Sequence, residues 1–486
     1  MRQILFAGVI GMFLTVIGTP LLIKLLARKG YGQFIRDDGP RGHAGKKGTP
    51  TMGGISFILA TLVAYALTKV ITGEEPSFSG LLVLFLMAGM GLVGYLDDYI
   101  KIVKRRSLGL RAKAKMAGQL IVGIAFAVLA LQFKDSRGLT PASDKLSFVT
   151  DFGWSLGPVL FVVWALFMIL AMSNGVNLTD GLDGLATGAA VMVFGAYTFI
   201  GVWQFQESCV NAQTLPSPNA CFEVRDPLDL AVVASALMGA CFGFLWWNTS
   251  PAKIFMGDTG SLALGGALAG LAICSRTEFL IALLGGLFVL ITMSVVIQVG
   301  SFKLTGKRVF RMAPLQHHFE LKGWSEVLVV VRFWIIQGMC VIVGLGIFYA
   351  GWQPTSDLLA RQEHHRRRPR RERHQCRPRP GRPRRFGDRR RQRGRRRAPR
   401  PGRRTRRGGH RGPPRAAGRR GARRRGAARG HRPRRHLARL EARQPALRRS
   451  RRRGHGRRRR RRDRLAAARG RPGAAGRRRR APQGAA

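Results

Sequence analysis

Ten long apolar runs, separated by short polar segments, constrain the fold of this chain more than any other feature. They cover roughly residues 3–26, 52–72, 79–97, 115–133, 157–174, 184–204, 228–247, 260–275, 279–300 and 328–351. A helix needs about 20 apolar residues to cross the hydrocarbon of a bilayer. Backbone polar groups in hydrocarbon must be satisfied within the segment, which favours helices, and runs this long do not fit a β-barrel. The sequence therefore predicts an all-α, polytopic integral membrane protein with about ten transmembrane helices.

The composition changes abruptly near residue 354. Residues 355–486 consist mainly of Arg, Pro, Gly and Ala, contain no lysine, and carry most of the formal net charge of +58. A segment of this kind cannot bury a core, so we predict a membrane domain over 1–354 and a disordered tail over 355–486. The tail could bind nucleic acid or anionic lipid through its charge, or be an inert extension. The interpretation we favour is an artefact, because Arg without Lys is typical of a GC-rich gene translated out of frame. For the membrane domain we expect no nucleic-acid partner.

The basic residues of the short loops predict the orientation of the helices. Lysines and arginines are concentrated in the loops after runs 1, 3 and 9, whereas the loop after run 2, "GEEPSFS", is acidic. Cytoplasmic loops carry the excess of Lys and Arg. The odd-numbered loops are therefore predicted to be cytoplasmic, with both ends of the membrane domain outside. Cys209 and Cys221 share loop 6, which this topology places outside, where a disulfide is permitted and two free thiols are equally compatible.

Five polar clusters all belong to odd-numbered loops. They are "KKGTPTMGG" (46–54), "DDYIK" (97–101), "NGVNLTDGLDGLATG" (174–188), "WWNTSPAKIFMGDTGSLALGG" (246–266) and "RMAPLQHHFELKGW" (311–324). The topology rests on Lys and Arg, whereas these clusters stand out for Asp, Asn, His and Gly. Their placement on one side is thus partly independent support for a single cytoplasmic site.

The chemistry of these clusters favours phosphoryl transfer. Carboxylate oxygens suit Mg²⁺, which completes its shell with water and phosphate oxygens. Neighbouring lysines suit anionic phosphate, and the glycine-rich turns let backbone approach a ligand closely. Carboxylates with Mg²⁺ and Lys stabilise the charge that develops when a phosphoryl group moves. A position at the membrane edge indicates that one substrate is a lipid phosphate. Each feature alone has a simpler explanation, such as helix capping, topology or turn formation, and the coincidence of five clusters is what favours a site.

The same five segments, in this order and spacing, resemble the motifs of the phospho-N-acetylmuramoyl-pentapeptide transferase family, part of the polyprenyl-phosphate N-acetylhexosamine-1-phosphate transferase superfamily. The resemblance covers about residues 1–352. "TPTMGG" and "HHFELKGW" favour the muramoyl-pentapeptide branch. The resemblance implies a Mg²⁺-dependent enzyme of the bacterial inner (plasma) membrane that acts at the cytoplasmic side. It would transfer phospho-MurNAc-pentapeptide from UDP-MurNAc-pentapeptide to undecaprenyl phosphate, and so make lipid I and UMP for the cell wall.

The resemblance also implies roles for individual residues. The catalytic set would be Asp97, Asp98, Asp258, His317 and His318. The metal ligands would be Asp258, Asp97 and Asp180. The substrate-binding set would be Lys46, Thr51, Lys101, Lys115, Asn177, Asp180, Asp183, Asn248 and Gly257.

One position departs from the family pattern. Many members have three consecutive histidines where this chain has Gln316, His317 and His318. A glutamine cannot take up a proton near neutral pH as imidazole does, so we expect a binding or structural role for Gln316.

Two alternative functions are kept. One is a related transferase that uses another UDP-sugar. The other is a membrane transporter, which is disfavoured because the acids lie at the ends of the spans rather than in the middle of them. A homodimer is left open.

Overall fold

The computed structural model describes residues 1–32, 48–104, 109–209 and 221–351, and every structural statement below concerns these ranges. The predicted tail, 355–486, and Lys46 lie outside them. The elements are α1 (Arg2–Arg28), α2 (Gly54–Thr72), α3 (Phe78–Val103), α4 (Ala112–Gln132), β1 (Lys145–Ser147), β2 (Asp151–Ser155), α5 (Gly157–Thr179), α6 (Leu185–Gln206), α7 (Pro227–Asn248), α8 (Gly257–Cys274), α9 (Leu280–Leu284), α10 (Gly286–Thr305), α11 (Leu315–Glu320) and α12 (Glu326–Gly351). Within these ranges, all helices except α9 and α11 are long and apolar enough to cross a bilayer, which gives ten candidate spans. The prediction of a mostly helical membrane protein with ten spans is confirmed.

Helix α8 lies at the centre of the bundle. Every residue from Thr259 to Cys274 is buried, and α8 packs against α2, α3 and α5. Its many glycines and alanines let neighbouring helices approach closely. A Cβ on Gly94 of α3 would overlap the carbonyl oxygen of Asp258. This close contact brings the last turns of α3 against the first turn of α8.

The outer helices present apolar side chains away from the bundle. Leu5 and Ile17 of α1 are 68% and 66% exposed, and Ile342 of α12 is 72% exposed. Large apolar surfaces of this kind are rare on proteins surrounded by water and suit lipid chains. The exposure pattern therefore agrees with a bilayer around the bundle.

Three predicted boundaries differ from the structure. Helix α3 continues to Val103, so Asp97 and Asp98 lie inside a helix rather than in the loop after it. Helix α5 continues to Thr179 and thus contains Asn177. The run over 279–300 is divided at Gly285 into the short α9 and the spanning α10. For α3 and α5 the cause is the same: polar side chains that find partners inside the protein do not need to end a helix.

The end of the bundle formed by loops 2, 4 and 8 and by the described ends of loop 6, here named the hairpin end, carries structure that the sequence did not predict. β1 and β2 form an antiparallel hairpin in loop 4. The Phe279 N–H donates to the Ser147 carbonyl at 3.1 Å, and Arg276 pairs with Asp151 at 3.1 Å. A cavity of about 140 Å³ lies between the hairpin and residues 221–224, at the opposite end of α8 from Asp258. The hairpin therefore connects loop 4 to loop 8 at this end of the bundle.

Cys209 and Cys221 form a disulfide at the hairpin end. The sequence left this pairing open. Among the described residues, Cys241, Cys274 and Cys340 are free thiols, and the first two are buried as small apolar side chains.

Candidate active site

Three carboxylates meet at the other end of the bundle, here named the carboxylate end. Asp97 and Asp98 of α3 and Asp258 of α8 place carboxylate oxygens within 4.8 Å of one another. Among the described residues this is the one group of three acidic, His or Cys side chains near enough to hold a metal ion. The fold thus brings together two motifs that lie far apart in the chain.

Asp98 is held by the first turn of α8. Its Oδ2 accepts hydrogen bonds from the Thr259 backbone N–H at 2.9 Å and from Thr259 Oγ1 at 2.8 Å. A negative charge at a helix N-terminus is favoured by unpaired N–H groups and by the helix dipole. Gly257 has a φ of +72°, and a Cβ there would lie 2.5 Å from Asp98 Oδ2. Glycine is therefore required where the chain turns into α8.

Asp97 has different partners from its neighbour. Its Oδ1 accepts from the Leu110 backbone N–H at 2.8 Å, and its Oδ2 lies 2.7 Å from Lys101 Nζ. A Cβ on Gly109 would lie 2.5 Å from Oδ1, so this segment approaches Asp97 closely. Adjacent helical residues point in different directions, and here one acid fixes the chain after α3 while the other fixes α8.

Asp258 is the acid with the most charged neighbours. Its Oδ1 accepts from Asn177 Nδ2 at 2.9 Å, and its Oδ2 lies 2.6 Å from Lys115 Nζ and 3.1 Å from Lys101 Nζ. Asn177 also donates to Ser261 Oγ at 2.8 Å, which fixes the orientation of its amide. Three carboxylates and two ammonium groups thus form one compact polar cluster where α3, α4, α5 and α8 meet.

Asp180 and Asp183 follow the end of α5. Burial and the nearby charges of Asp258, Asp98 and Asp183 raise the pKa of the half-buried Asp180 to about 8. A cation in this region would lower that pKa, because it favours the ionised form. Asp180 is not a member of the group of three, so its role as a metal ligand stays a prediction.

Asp183 connects three segments. Its Oδ2 accepts from the Ala252 N–H at 3.1 Å, and its own N–H donates to Glu326 Oε1 at 2.9 Å. It therefore joins the α5–α6 turn to loop 7 and to the start of α12.

Thr51 and Asn248 border the glycine turn before α8. The Phe255 N–H donates to the Pro50 carbonyl at 2.8 Å, and a Cβ on Gly257 would lie 3.0 Å from Thr51 Oγ1. Asn248 is buried, accepts from Thr187 Oγ1 at 2.8 Å and donates to the Ile254 carbonyl at 3.0 Å. Both residues therefore shape the turn that carries Asp258. Their predicted substrate contacts stay predictions.

Helix α11 brings the histidine motif against the end of α5. His317 Nδ1 lies 2.6 Å from Glu320 Oε2, a partner that the sequence reasoning missed although it lies in the same motif. His318 Nδ1 accepts from the Arg311 N–H at 3.1 Å. Burial and the positive charges of Lys322 and Arg311 lower the pKa of His318, which favours its neutral form.

Gln316 occupies a structural position in this arrangement. Its side chain is fully buried, and its Nε2 donates to the Leu178 carbonyl at 2.9 Å. The amide thus connects α11 to the last turn of α5, two residues before Asp180. This contact agrees with the expected structural role of Gln316.

A Gln316→Leu variant tests that role. Loss of the amide leaves the partly buried Leu178 carbonyl without this donor, which costs about 1–3 kcal/mol. We expect a lower melting temperature and about tenfold lower turnover, with an unchanged pH profile because no proton acceptor is removed. A pH–rate profile that changes shape in the variant would show that Gln316 influences a proton transfer.

The donor set fits a magnesium ion. Asp97, Asp98 and Asp258 supply hard oxygen atoms within reach of one another, and Mg²⁺ is commonly held by one or two carboxylates plus water and phosphate oxygens. The neighbouring lysines suit a diphosphate. The site can therefore bind a cation and an anionic substrate side by side.

Comparison with known proteins decides the family. A family model described as glycosyl transferase family 4 matches residues 80–276. The protein of Streptomyces avermitilis named phospho-N-acetylmuramoyl-pentapeptide-transferase is 88% identical over 352 residues, which are 72% of this chain and 99% of that protein. The chain belongs to the phospho-N-acetylmuramoyl-pentapeptide transferase family.

Further relatives of the same name extend this result. The Streptomyces coelicolor protein is 84% identical over 359 aligned residues, and the Kineococcus radiotolerans protein is 64% identical over 361, each covering 72% of this chain and 99% of the relative. The resemblance found in the motifs is thus confirmed across nearly the whole length of these transferases.

Proposed function

We propose that this chain transfers phospho-MurNAc-pentapeptide from UDP-MurNAc-pentapeptide to undecaprenyl phosphate, forming lipid I and UMP in peptidoglycan synthesis. The observation that carries the proposal is the 88% identity over 99% of a relative named for this transfer. The cluster of Asp97, Asp98, Asp258, Lys101 and Lys115 supplies a site whose chemistry suits it.

A panel of donor substrates tests the proposal. Purified protein in detergent with MgCl₂ and undecaprenyl phosphate is given UDP-MurNAc-pentapeptide, UDP-GlcNAc or UDP-GalNAc, and UMP release is followed. We expect UMP only with the muramoyl-pentapeptide donor. Release with UDP-GlcNAc instead would assign the chain to the alternative function with another UDP-sugar.

The enzyme is proposed to depend on Mg²⁺ held by Asp258 with Asp97. When bound, the ion would neutralise charge on the diphosphate of the donor. Asp98 Oδ2 is engaged by Thr259, so this acid is suited to fixing α8 and to supplying its other oxygen to the cluster. Lys115 beside Asp258 is placed to stabilise charge on a neighbouring phosphate.

Direct attack by the lipid phosphate is the mechanism that we favour. An oxygen of undecaprenyl phosphate forms a bond to the β-phosphorus of the donor, and the bond from that phosphorus to the bridging oxygen breaks. UMP leaves with the α-phosphate and the bridging oxygen. A phosphomonoester is already largely ionised at pH 7, so no strong base is needed. Each of the three carboxylates, Asp97, Asp98 and Asp258, accepts a hydrogen bond from a neighbouring group. These bonds fix the carboxylates in place, which favours a role as fixed negative charges over a role as attacking nucleophiles.

Isotope exchange separates this mechanism from a covalent one. Labelled UMP is incubated with the enzyme, Mg²⁺ and UDP-MurNAc-pentapeptide without lipid. Direct attack predicts no label in the nucleotide sugar, because no phosphoryl-enzyme forms. Incorporation of label would require a covalent intermediate.

We propose that the carboxylate end lies at the cytoplasmic side of the plasma membrane. Two observations support this orientation: among the described residues, Lys101 and Lys115 lie at the carboxylate end, and the disulfide lies at the hairpin end. Disulfides persist in oxidising compartments and are rare in the cytosol.

Thiol labelling tests the orientation. In right-side-out vesicles, a membrane-impermeant maleimide should label Cys209 and Cys221 only after treatment with an impermeant reductant. The double variant Cys209→Ser/Cys221→Ser is the control and should lose this signal. Labelling that appears only when vesicles are opened would place the hairpin end in the cytoplasm.

A further inference from the structure

Lys101 holds a position in the acidic cluster that no other lysine among the described residues holds. Its Nζ lies 2.7 Å from Asp97 Oδ2, 3.3 Å from Asp98 Oδ1 and 3.1 Å from Asp258 Oδ2. One ammonium group therefore contacts all three acids of the group that could hold a metal ion. Among the acids that the structure describes, Lys115 pairs only with Asp258, at 2.6 Å.

These contacts use the oxygens that a divalent cation would need. A carboxylate oxygen has more than one lone pair, but a cation bound at about 2 Å from these oxygens would lie close to the ammonium nitrogen, where the two positive charges repel each other. The ammonium group and the cation therefore compete for the space between the three carboxylates. Lys101 sits on α3, one turn after Asp97 and Asp98, so the side chain shares a rigid helix with two of its partners.

Lys101 can also leave the cluster. Its side chain is 27% exposed, whereas those of Asp97 and Asp98 are 4% and 3% exposed. A long, flexible side chain reaching in from the accessible side can move towards solvent or towards a bound phosphate without disturbing the buried acids.

We propose that Lys101 is an internal counter-cation that an incoming divalent cation displaces from the three carboxylates, so that its ammonium group becomes available to the diphosphate only when the cation binds. The proposal rests on the cation site of the proposed function. It makes Lys101 a residue that sets the cation affinity and couples cation binding to substrate binding.

Direct measurement of cation binding tests the proposal without any turnover. The purified protein is titrated with Mn²⁺, and free Mn²⁺ is measured by electron paramagnetic resonance. Lys101→Met should bind Mn²⁺ about tenfold more tightly than the wild type, the size of one charge-assisted contact. Lys115→Met removes the same charge from one acid only and should give a clearly smaller gain. The exposed Lys113→Met should leave the affinity unchanged.

Thermal unfolding gives a second readout. Without its counter-cation the cluster is repulsive, so Lys101→Met should melt lower than the wild type in EDTA and should be stabilised more by added MgCl₂. Lys101→Gln keeps a neutral hydrogen-bond donor and serves if the methionine variant does not fold.

The outcomes are distinguishable. Unchanged or weaker Mn²⁺ binding in both Lys101 variants would overturn the proposal, as would an equal gain in Lys115→Met, which would show an effect of charge without displacement. A wild-type protein that binds no Mn²⁺ would instead overturn the cation site of the proposed function.

Discussion

Asp258→Asn is expected to reduce UMP release by about a thousandfold or more. Asparagine has nearly the same shape but no charge, and its carbonyl oxygen can still accept from Asn177. Its amide group then faces the ammonium groups of Lys115 and Lys101, which the carboxylate pairs with at 2.6 and 3.1 Å. The substitution therefore removes an anionic ligand and places donors against donors at the centre of the cluster.

The measurement is the initial rate of UMP release with saturating MgCl₂, together with the melting temperature. Asp144→Asn is the matched control, because Asp144 lies at the hairpin end and pairs with Ser155. It should retain normal turnover. Near-normal rates in Asp258→Asn would refute the role given to this acid.

Gly257→Ala is expected to damage the site by altering the backbone. The φ of +72° costs a residue with a Cβ roughly 1–2 kcal/mol. The added Cβ would also lie 2.5 Å from Asp98 Oδ2 and 3.1 Å from the Met52 nitrogen, so the turn or the acid must move. A shift of about 1 Å in a catalytic group can cost about a hundredfold in rate. We expect a loss of that order in turnover and a lower melting temperature.

Gly300→Ala is the control for this substitution. Within the described parts of the chain, a methyl group added to Gly300 of α10 would meet no neighbouring side chain or helix within 4 Å, and alanine favours a helix over glycine. It should be neutral or slightly stabilising. If Gly257→Ala were equally harmless, the close approach of Gly257 to Asp98 would be unimportant for the site.

Much of the fold followed from hydrophobic length alone. The ten spans were predictable because hydrocarbon requires long apolar helices, and the position of α8 was not, because it depends on how small residues let α3 and α5 approach it. The hairpin of β1 and β2 was missed because short strands outside the membrane leave only a weak pattern. The division at Gly285 was missed because α9 and α10 are both apolar.

The sequence indicated which acids come together in the cluster better than it indicated how they are arranged. Topology placed Asp97, Asp98 and Asp258 on the same side, and the fold brings them together. The hydrogen bond from Thr259 to Asp98 and the one between His317 and the Glu320 carboxylate were missed, because both depend on local helix geometry. The sequence signals were present in "MGDTG" and "HHFE", where each partner lies close to a predicted site residue.

The contact of Lys101 with three acids was equally hidden. The resemblance predicted a substrate-binding role for Lys101, whereas the structure places its ammonium group within 3.3 Å of each carboxylate. Spacing along α3 predicts contacts to Asp97 and Asp98, one turn away. The third contact requires the packing of α3 on α8.

The position of a phosphorus label tests the central claim most directly. UDP-MurNAc-pentapeptide labelled with ³²P in the β-phosphate is incubated with the full chain, MgCl₂ and undecaprenyl phosphate, and the lipid and nucleotide products are separated. Transfer of phospho-MurNAc-pentapeptide predicts that the label enters the lipid and that the released UMP is unlabelled. Label in a released nucleoside diphosphate, with unlabelled lipid product, would mean that the sugar moves without its phosphate and would contradict the proposed reaction.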